Sequence, residues 1–102
     1  MATRHYNITG ELTKELLAPG DNVKVTSISL ANIADTRLPV SIDLFIKKIL
    51  TGNFYFFKKL VLPADTSFIY KTSFRNTVDE FGLYIKLTKS ASETPAVDVI
   101  IT

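Results

Sequence analysis

Residues 40–46 (VSIDLFI) alternate without a fault: Val40, Ile42, Leu44 and Ile46 fall on one side of an extended chain, and Ser41, Asp43, Phe45 and then Lys47 on the other. Successive side chains of a strand point to opposite faces, so this spacing builds one apolar face and does not fit an amphipathic helix. The same period returns in residues 82–88, through Leu83, Ile85 and Leu87 with Tyr84 and Lys86 turned away, and in residues 96–102, through Val97, Val99 and Ile101. A chain whose clearest segments all repeat every second residue has to pair strands and bury one side of the resulting sheet.

The segments between them follow the same rule with interruptions. Residues 54–62 (FYFFKKLVL) place Phe54, Phe56, Leu60 and Leu62 on one face and Tyr55, Phe57 and Val61 on the other. Thr51-Gly52-Asn53, a short loop with glycine between two alternating runs, predicts an antiparallel hairpin joining this run to residues 40–46. Leu62-Pro63-Ala64-Asp65 turns a corner, and residues 67–71 alternate again through Phe68 and Tyr70. In residues 23–33 (VKVTSISLANI), Val23 and Val25 are out of phase with Ile28 and Leu30; either a bulge near Thr26-Ser27 resets the register or both faces are covered. Ala18-Pro19-Gly20-Asp21 has the chemistry of a type II turn. Leu12, Leu16 and Leu17 fit a helix as well as a strand, and context favours the strand. Residues 72–80 read as a polar turn anchored by Phe74 and Val78, residues 89–95 as a loop, and residues 1–10 as an extended arm or short edge strand. The expectation is one all-β domain over residues 1–102, an antiparallel β-sandwich or jelly roll of seven to eight short strands.

A chain of 102 residues with 46% hydrophobic side chains can bury on the order of 65% of its unfolded surface and needs no staples. No cysteine is present, which excludes disulfides, thiolate metal sites and cysteine nucleophiles. His5 is the only histidine, and a single imidazole without cysteine neighbours does not make a zinc site, which takes about four ligands. A triad hydrolase would need His5 as its base, held rigidly by a third group, and the expected arm offers no such hold. The adjacent carboxylates Asp79 and Glu80 point to opposite faces of an extended chain and read as a solvated turn. No Gly-rich phosphate loop or acidic calcium loop occurs, so no cofactor or metal is expected. The N-terminal residues lack an apolar signal core, and no run of about 18 apolar residues is present, so no membrane partner is expected. Asn7-Ile8-Thr9 matches a glycosylation sequon, read as a chance match in the absence of such a signal.

The net charge is +2, and residues 1–51 and 52–102 each carry six Lys/Arg against five Asp/Glu. That even division argues against a nucleic-acid partner, whose footprint is strongly and locally basic. Lys47-Lys48 and Lys58-Lys59 keep the possibility in view, since lysines interleaved with aromatics hold single strands on sheet faces. Lysines on outer strands also guard sheet edges against aggregation, which is the simpler reading.

The succession VKVTSISLAN (residues 23–32), VSIDLFI (40–46), FYFFKKLVLP (54–63), GLYIKL (82–87) and VDVII (97–101) resembles small virion structural proteins of tailed phages, notably those of cyanophages and other marine phages. The resemblance covers residues 23–102. This chain departs from it at Ala64-Asp65, where that group commonly has glycine after the proline. The resemblance implies a β-sandwich built into a virion as a neck, tail, baseplate or capsid-decorating component, made in the host cytoplasm. It carries over no catalytic residue.

These lines converge on a non-enzymatic structural protein that binds copies of itself, as a homo-oligomer, and other virion proteins. Tyr6 and Ile8, too few to hold the arm on its own domain, are expected to dock on a neighbour, and Tyr55 and Phe57 to form the centre of an interface, where aromatics are enriched. Two alternatives belong to other classes: a single-strand nucleic-acid-binding β-barrel, and a carbohydrate-binding adhesin module.

Overall fold

The computed structural model describes residues 4–20, 23–34, 37–48, 52–75 and 81–102, and all its regular elements are strands. They run β1 (Arg4–Thr9), β2 (Lys14–Leu17), β3 (Lys24–Asn32), β4 (Val40–Lys48), β5 (Gly52–Leu62), β6 (Ser67–Arg75), β7 (Phe81–Lys89) and β8 (Ala96–Ile101). Four antiparallel ribbons are nested in one another: β1 with β8, β2 with β7, β3 with β6 and β4 with β5. Pairing of β8 with β3 and of β7 with β4 joins the ribbons into two four-stranded sheets, β1-β8-β3-β6 and β2-β7-β4-β5. This is one long hairpin wound on itself, the jelly-roll order, so the expected fold class holds.

The alternating faces meet between the sheets. Ile28, Leu30, Val97 and Val99 from the first sheet and Ile42, Leu44, Leu83, Ile85 and Leu87 from the second have no exposed surface. Where the phase slips in β3, the structure has the bulge: the register with β6 shifts between Val25 and Ser27. The two amides thus brought together, Thr26 N–H and Ser27 N–H, both donate to the Thr102 carbonyl oxygen, at 2.7 and 3.0 Å. The Thr26 hydroxyl donates to the same oxygen at 2.9 Å. Val25 and Ile28, three apart, are then both buried.

Two turns take the left-handed backbone their sequence suggests. Gly20 has φ 81°, in keeping with the turn after Pro19, and Asp65 has φ 55° at the Pro63 corner. Asp tolerates this region better than most residues, which allows the corner to close without a glycine.

Asn32 is the one polar residue buried among the described residues. Its Nδ2 donates to the carbonyl oxygens of Leu38, Leu62 and Pro63 at 3.0, 3.2 and 3.3 Å, and its Oδ1 accepts the Ala34 N–H at 3.3 Å. One side chain therefore ties the end of β3 to the start of β4 and to the β5–β6 corner.

The strand limits decide between two readings and correct a third. Of the arm and the short edge strand offered for residues 1–10, the edge strand holds over residues 4–9: β1 pairs with β8 along its whole length, from Arg4 opposite Ile101 to Thr9 opposite Ala96, at the end of its sheet. Counting apolar anchors missed the main-chain ladder, which holds a short strand without many side chains. The polar stretch expected to turn from residue 72 is strand as far as Arg75, and Val78, Asp79 and Glu80 lie outside the described residues.

Candidate functional site

β5 and β6 are the last strands of their respective sheets, and the Pro63 corner joins them along one narrow flank of the sandwich. Five of the eight large hydrophobic side chains exposed among the described residues lie on these two strands: Phe54, Tyr55 and Val61 on β5, Phe68 and Ile69 on β6. That concentration makes the flank the apolar surface of the molecule and the first candidate for contact with another molecule.

The chemistry of β5 follows from two bulges. Its register with β4 pairs Ile42 with Leu60, Leu44 with Phe57 and Phe45 with Tyr55, so it slips once on each side of Phe57. At the first slip Lys59 has φ 59° and its N–H donates to Asp43 Oδ1 at 2.7 Å, so a side chain takes the place of the missing ladder bond. The second slip sets Phe57 on the opposite side from Tyr55. The expectation that Tyr55 and Phe57 share one face is therefore corrected, because strict alternation does not survive an inserted residue. Phe57 turns inward, 4.7 Å from the ring of Tyr70 and 5.5 Å from that of Phe68, both edge-on, and Phe56 lies 5.5 Å from Tyr70. These rings close the gap between the two sheets along the flank.

Tyr55 faces outward at the end of a row that crosses the whole second sheet: Glu15 on β2, Tyr84 on β7, Phe45 on β4 and Tyr55 on β5 are cross-strand partners. The Phe45 ring lies 5.9 Å from Tyr84, nearly parallel, and 5.0 Å from Tyr55, which leaves it buried on a face that otherwise meets water. The Tyr84 hydroxyl donates to Glu15 Oε2 at 3.0 Å. Burial, together with this bond and the carboxylate's charge, pushes the Tyr84 phenol above the ordinary tyrosine value, because the tyrosinate would be both desolvated and placed beside an anion. Lysines stand over the two exposed rings: Lys58 Nζ is 5.1 Å from the centroid of Tyr55, and Lys48 Nζ is 5.9 Å from that of Phe54. The lysine pairs do not face each other. Lys47 and Lys48 pair with Asn53 and Gly52 near the hairpin tip, while Lys58 and Lys59 lie at the bulge opposite Asp43.

Tyr6 and Ile8 are placed elsewhere. Ile8 is buried in the core of its own chain, and Tyr6 is half-buried with its hydroxyl donating to the Leu16 carbonyl, so β1 is stitched to β2 of the other sheet. The expected role of Ile8 as an anchor on a neighbour is corrected accordingly, since its side chain is already covered, while Tyr6 keeps part of its ring at the surface. On the outer side of β1 and β8 a shallow depression is lined by His5, Asn7, Asp98 and Ile100, with Asn7 Nδ2 donating to Asp98 Oδ1 at 2.7 Å. It is also lined by Tyr6, whose hydroxyl is already committed to the Leu16 carbonyl, so it offers one imidazole and one carboxylate beside that ring. Among the described residues no cluster of three His, Cys, Asp or Glu could hold a metal.

Val61, which alternation places on the stripe of Tyr55, is exposed with it. Phe68 and Ile69 were missed, because their exposure depends on β6 being a terminal strand, which no local pattern in residues 67–71 reveals.

No protein-family model matches this chain, and no curated protein matches it in sequence. Solved structures do resemble it in fold. The Yersinia pseudotuberculosis-derived mitogen superposes with a TM-score of 0.53 at 13% identity, over 99% of this chain and 85% of the mitogen. PirA superposes equally well, with a TM-score of 0.53 at 12% identity, over 97% of this chain and 91% of that one. Infectious bursal virus derived T=1 particles give a weaker likeness, a TM-score of 0.42 at 14% identity, in which this chain spans 31% of the particle protein. At such identities the first two likenesses speak for a shared β-sandwich and for nothing finer.

Proposed function

We propose that this protein is a non-enzymatic structural component of a tailed-phage virion, assembling with copies of itself and with neighbouring virion proteins in the capsid, neck or tail. The observation that carries the reading is the flank: Phe54 and Phe68 stand exposed on the inner side of the two terminal strands, Tyr55 and Val61 on the outer face of one and Ile69 on the outer face of the other. Exposed apolar surface rich in aromatics is characteristic of protein interfaces, and a terminal strand is where another chain's contacts can be added. The bulges and lysines of β5 break the regular edge of that strand, so the contact is made by side chains rather than by a continued sheet. The sequence resemblance supplies the virion; the flank supplies the means of assembly.

The test is a double substitution, Val61→Lys with Ile69→Lys, at two exposed positions where lysine fits a folded monomer. Truncating a central interface anchor costs on the order of 2 kcal/mol of association. The parent is expected to self-associate in sedimentation velocity and to enter particles, and the variant to sediment as a monomer, be excluded from particles and unfold at the parent's temperature. A parent that stays monomeric at all concentrations and enters particles no better than the variant would remove the proposal.

A further inference from the structure

Residues 44–64, most of the β4–β5 hairpin and its exit, contain four lysines, five aromatic side chains and no carboxylate, with Asp43 and Asp65 just beyond the two ends, leaving eight Lys/Arg against ten Asp/Glu in the rest of the chain. The net positive charge of the protein thus lies on one ribbon. Division of the sequence at residue 51 cuts that ribbon in two, which is why the halves look balanced. Asp43, just before this stretch, has its Oδ1 turned onto the Lys59 N–H at 2.7 Å.

Phe54 and Tyr55 are consecutive on β5, 49% and 42% exposed, and point to opposite sides of the ribbon. Because β5 ends its sheet, a ligand crossing its free edge can reach both rings. Each ring has its own cation beside it, Lys48 for Phe54 and Lys58 for Tyr55. We propose that this hairpin binds single-stranded nucleic acid, with one base on Tyr55, a neighbouring base on Phe54, and the phosphates between them held by Lys48, Lys58 and Lys59. Aromatic rings that accept any base, set among lysines that follow the backbone, are the common means of holding single strands without regard to sequence. A duplex stacks its bases on each other and offers these rings nothing. An acidic protein would engage the lysines and leave the ring faces unused. The surface overlaps the assembly flank only at the hairpin half of β5, so the two readings are tested by different substitutions.

The experiment is a titration of a short labelled oligothymidylate by fluorescence anisotropy, at several salt concentrations, with heparin and a duplex of equal length as competitors. Tyr55→Ala and Phe54→Ala are each expected to weaken binding roughly 5- to 100-fold, the range found when a stacking ring is removed. Tyr55→Phe, which keeps the ring, is expected to bind like the parent. Lys58→Gln is expected to reduce the slope of log affinity against log salt by about 0.7, the loss of one phosphate contact on a single strand. Circular dichroism establishes that each variant is folded at the assay temperature. Three results would overturn the proposal: no binding at low salt, binding that ignores both ring substitutions while heparin competes as well as the oligonucleotide, or equal binding of the duplex. The second would assign the lysines to an acidic protein surface instead.

Discussion

Asn32 shows how much one side chain can hold in a sandwich without disulfides. Its amide serves three carbonyl oxygens on two different connections, and all three lose their donor if the side chain is cut back. Asn32→Ala is expected to destabilise the fold by about 1–3 kcal/mol, the cost of leaving buried acceptors unmet. For a domain of this length that lowers the melting temperature by several degrees or more, which a thermal scan reads directly. Tyr84 makes a different kind of statement. Its phenol is held above the ordinary tyrosine value by burial first and by Glu15 second, so the neutral form is the one the fold favours. The stabilisation is complete below the unfolded-state value and is lost as pH rises through the folded one. A spectroscopic titration of tyrosinate, compared between the parent and Tyr84→Phe, should assign to Tyr84 an ionisation above the ordinary tyrosine value. Glu15→Gln should bring it only part of the way back, since burial remains.

The strands differ in how openly the sequence declares them. β4, β7 and β8 alternate cleanly, and Leu44, Leu83, Ile85, Leu87, Val97 and Val99 are buried as their positions require. The β3 bulge was legible because Val25 and Ile28 cannot share a face without one. β5 hid its two bulges behind a run of four aromatic residues, where every position looks equally fit for either face. It therefore misled on Phe57, and with it on half of the expected β5 interface. β1 misled for another reason: its hold on the molecule is largely main-chain pairing with β8, and backbone bonds leave no mark in composition. The bulge on β5 makes a sharp expectation. Phe57→Ser removes a ring packed on Tyr70 and Phe68 and should cost about 2–3 kcal/mol, somewhat below the figure for a fully buried ring. Tyr55→Ser, two residues away but on the outer face, should cost about 1 kcal/mol or less. Equal losses in urea unfolding would mean that β5 alternates regularly after all.

At the scale of the whole molecule, the correction of the arm reverses what its removal does. Deleting residues 1–9 strips β1 from β8, uncovers Val97, Val99 and Ile101 and takes Ile8 out of the core. The deletion is expected to lower stability and promote aggregation through the freed β8 edge, measured by unfolding midpoint and light scattering. A deleted form that is as stable as the parent and merely fails to assemble would restore the arm. The nested ribbons also set an order in time. The β4–β5 pair closes across a few residues, whereas β1 and β8 bring together positions as far apart as Arg4 and Ile101. Closing a loop costs more as it lengthens, but only logarithmically, and each inner ribbon shortens the loop the next must close. The jelly roll is thus built to zip from β4–β5 outward, in the slow range typical of folds dominated by distant pairings. On a ribosome the aromatic, basic hairpin would be the first ribbon to pair, while β7, the strand that joins it to the rest of its sheet, is still unmade, so the stretch most prone to stick to other molecules stands paired but uncovered until the later strands arrive.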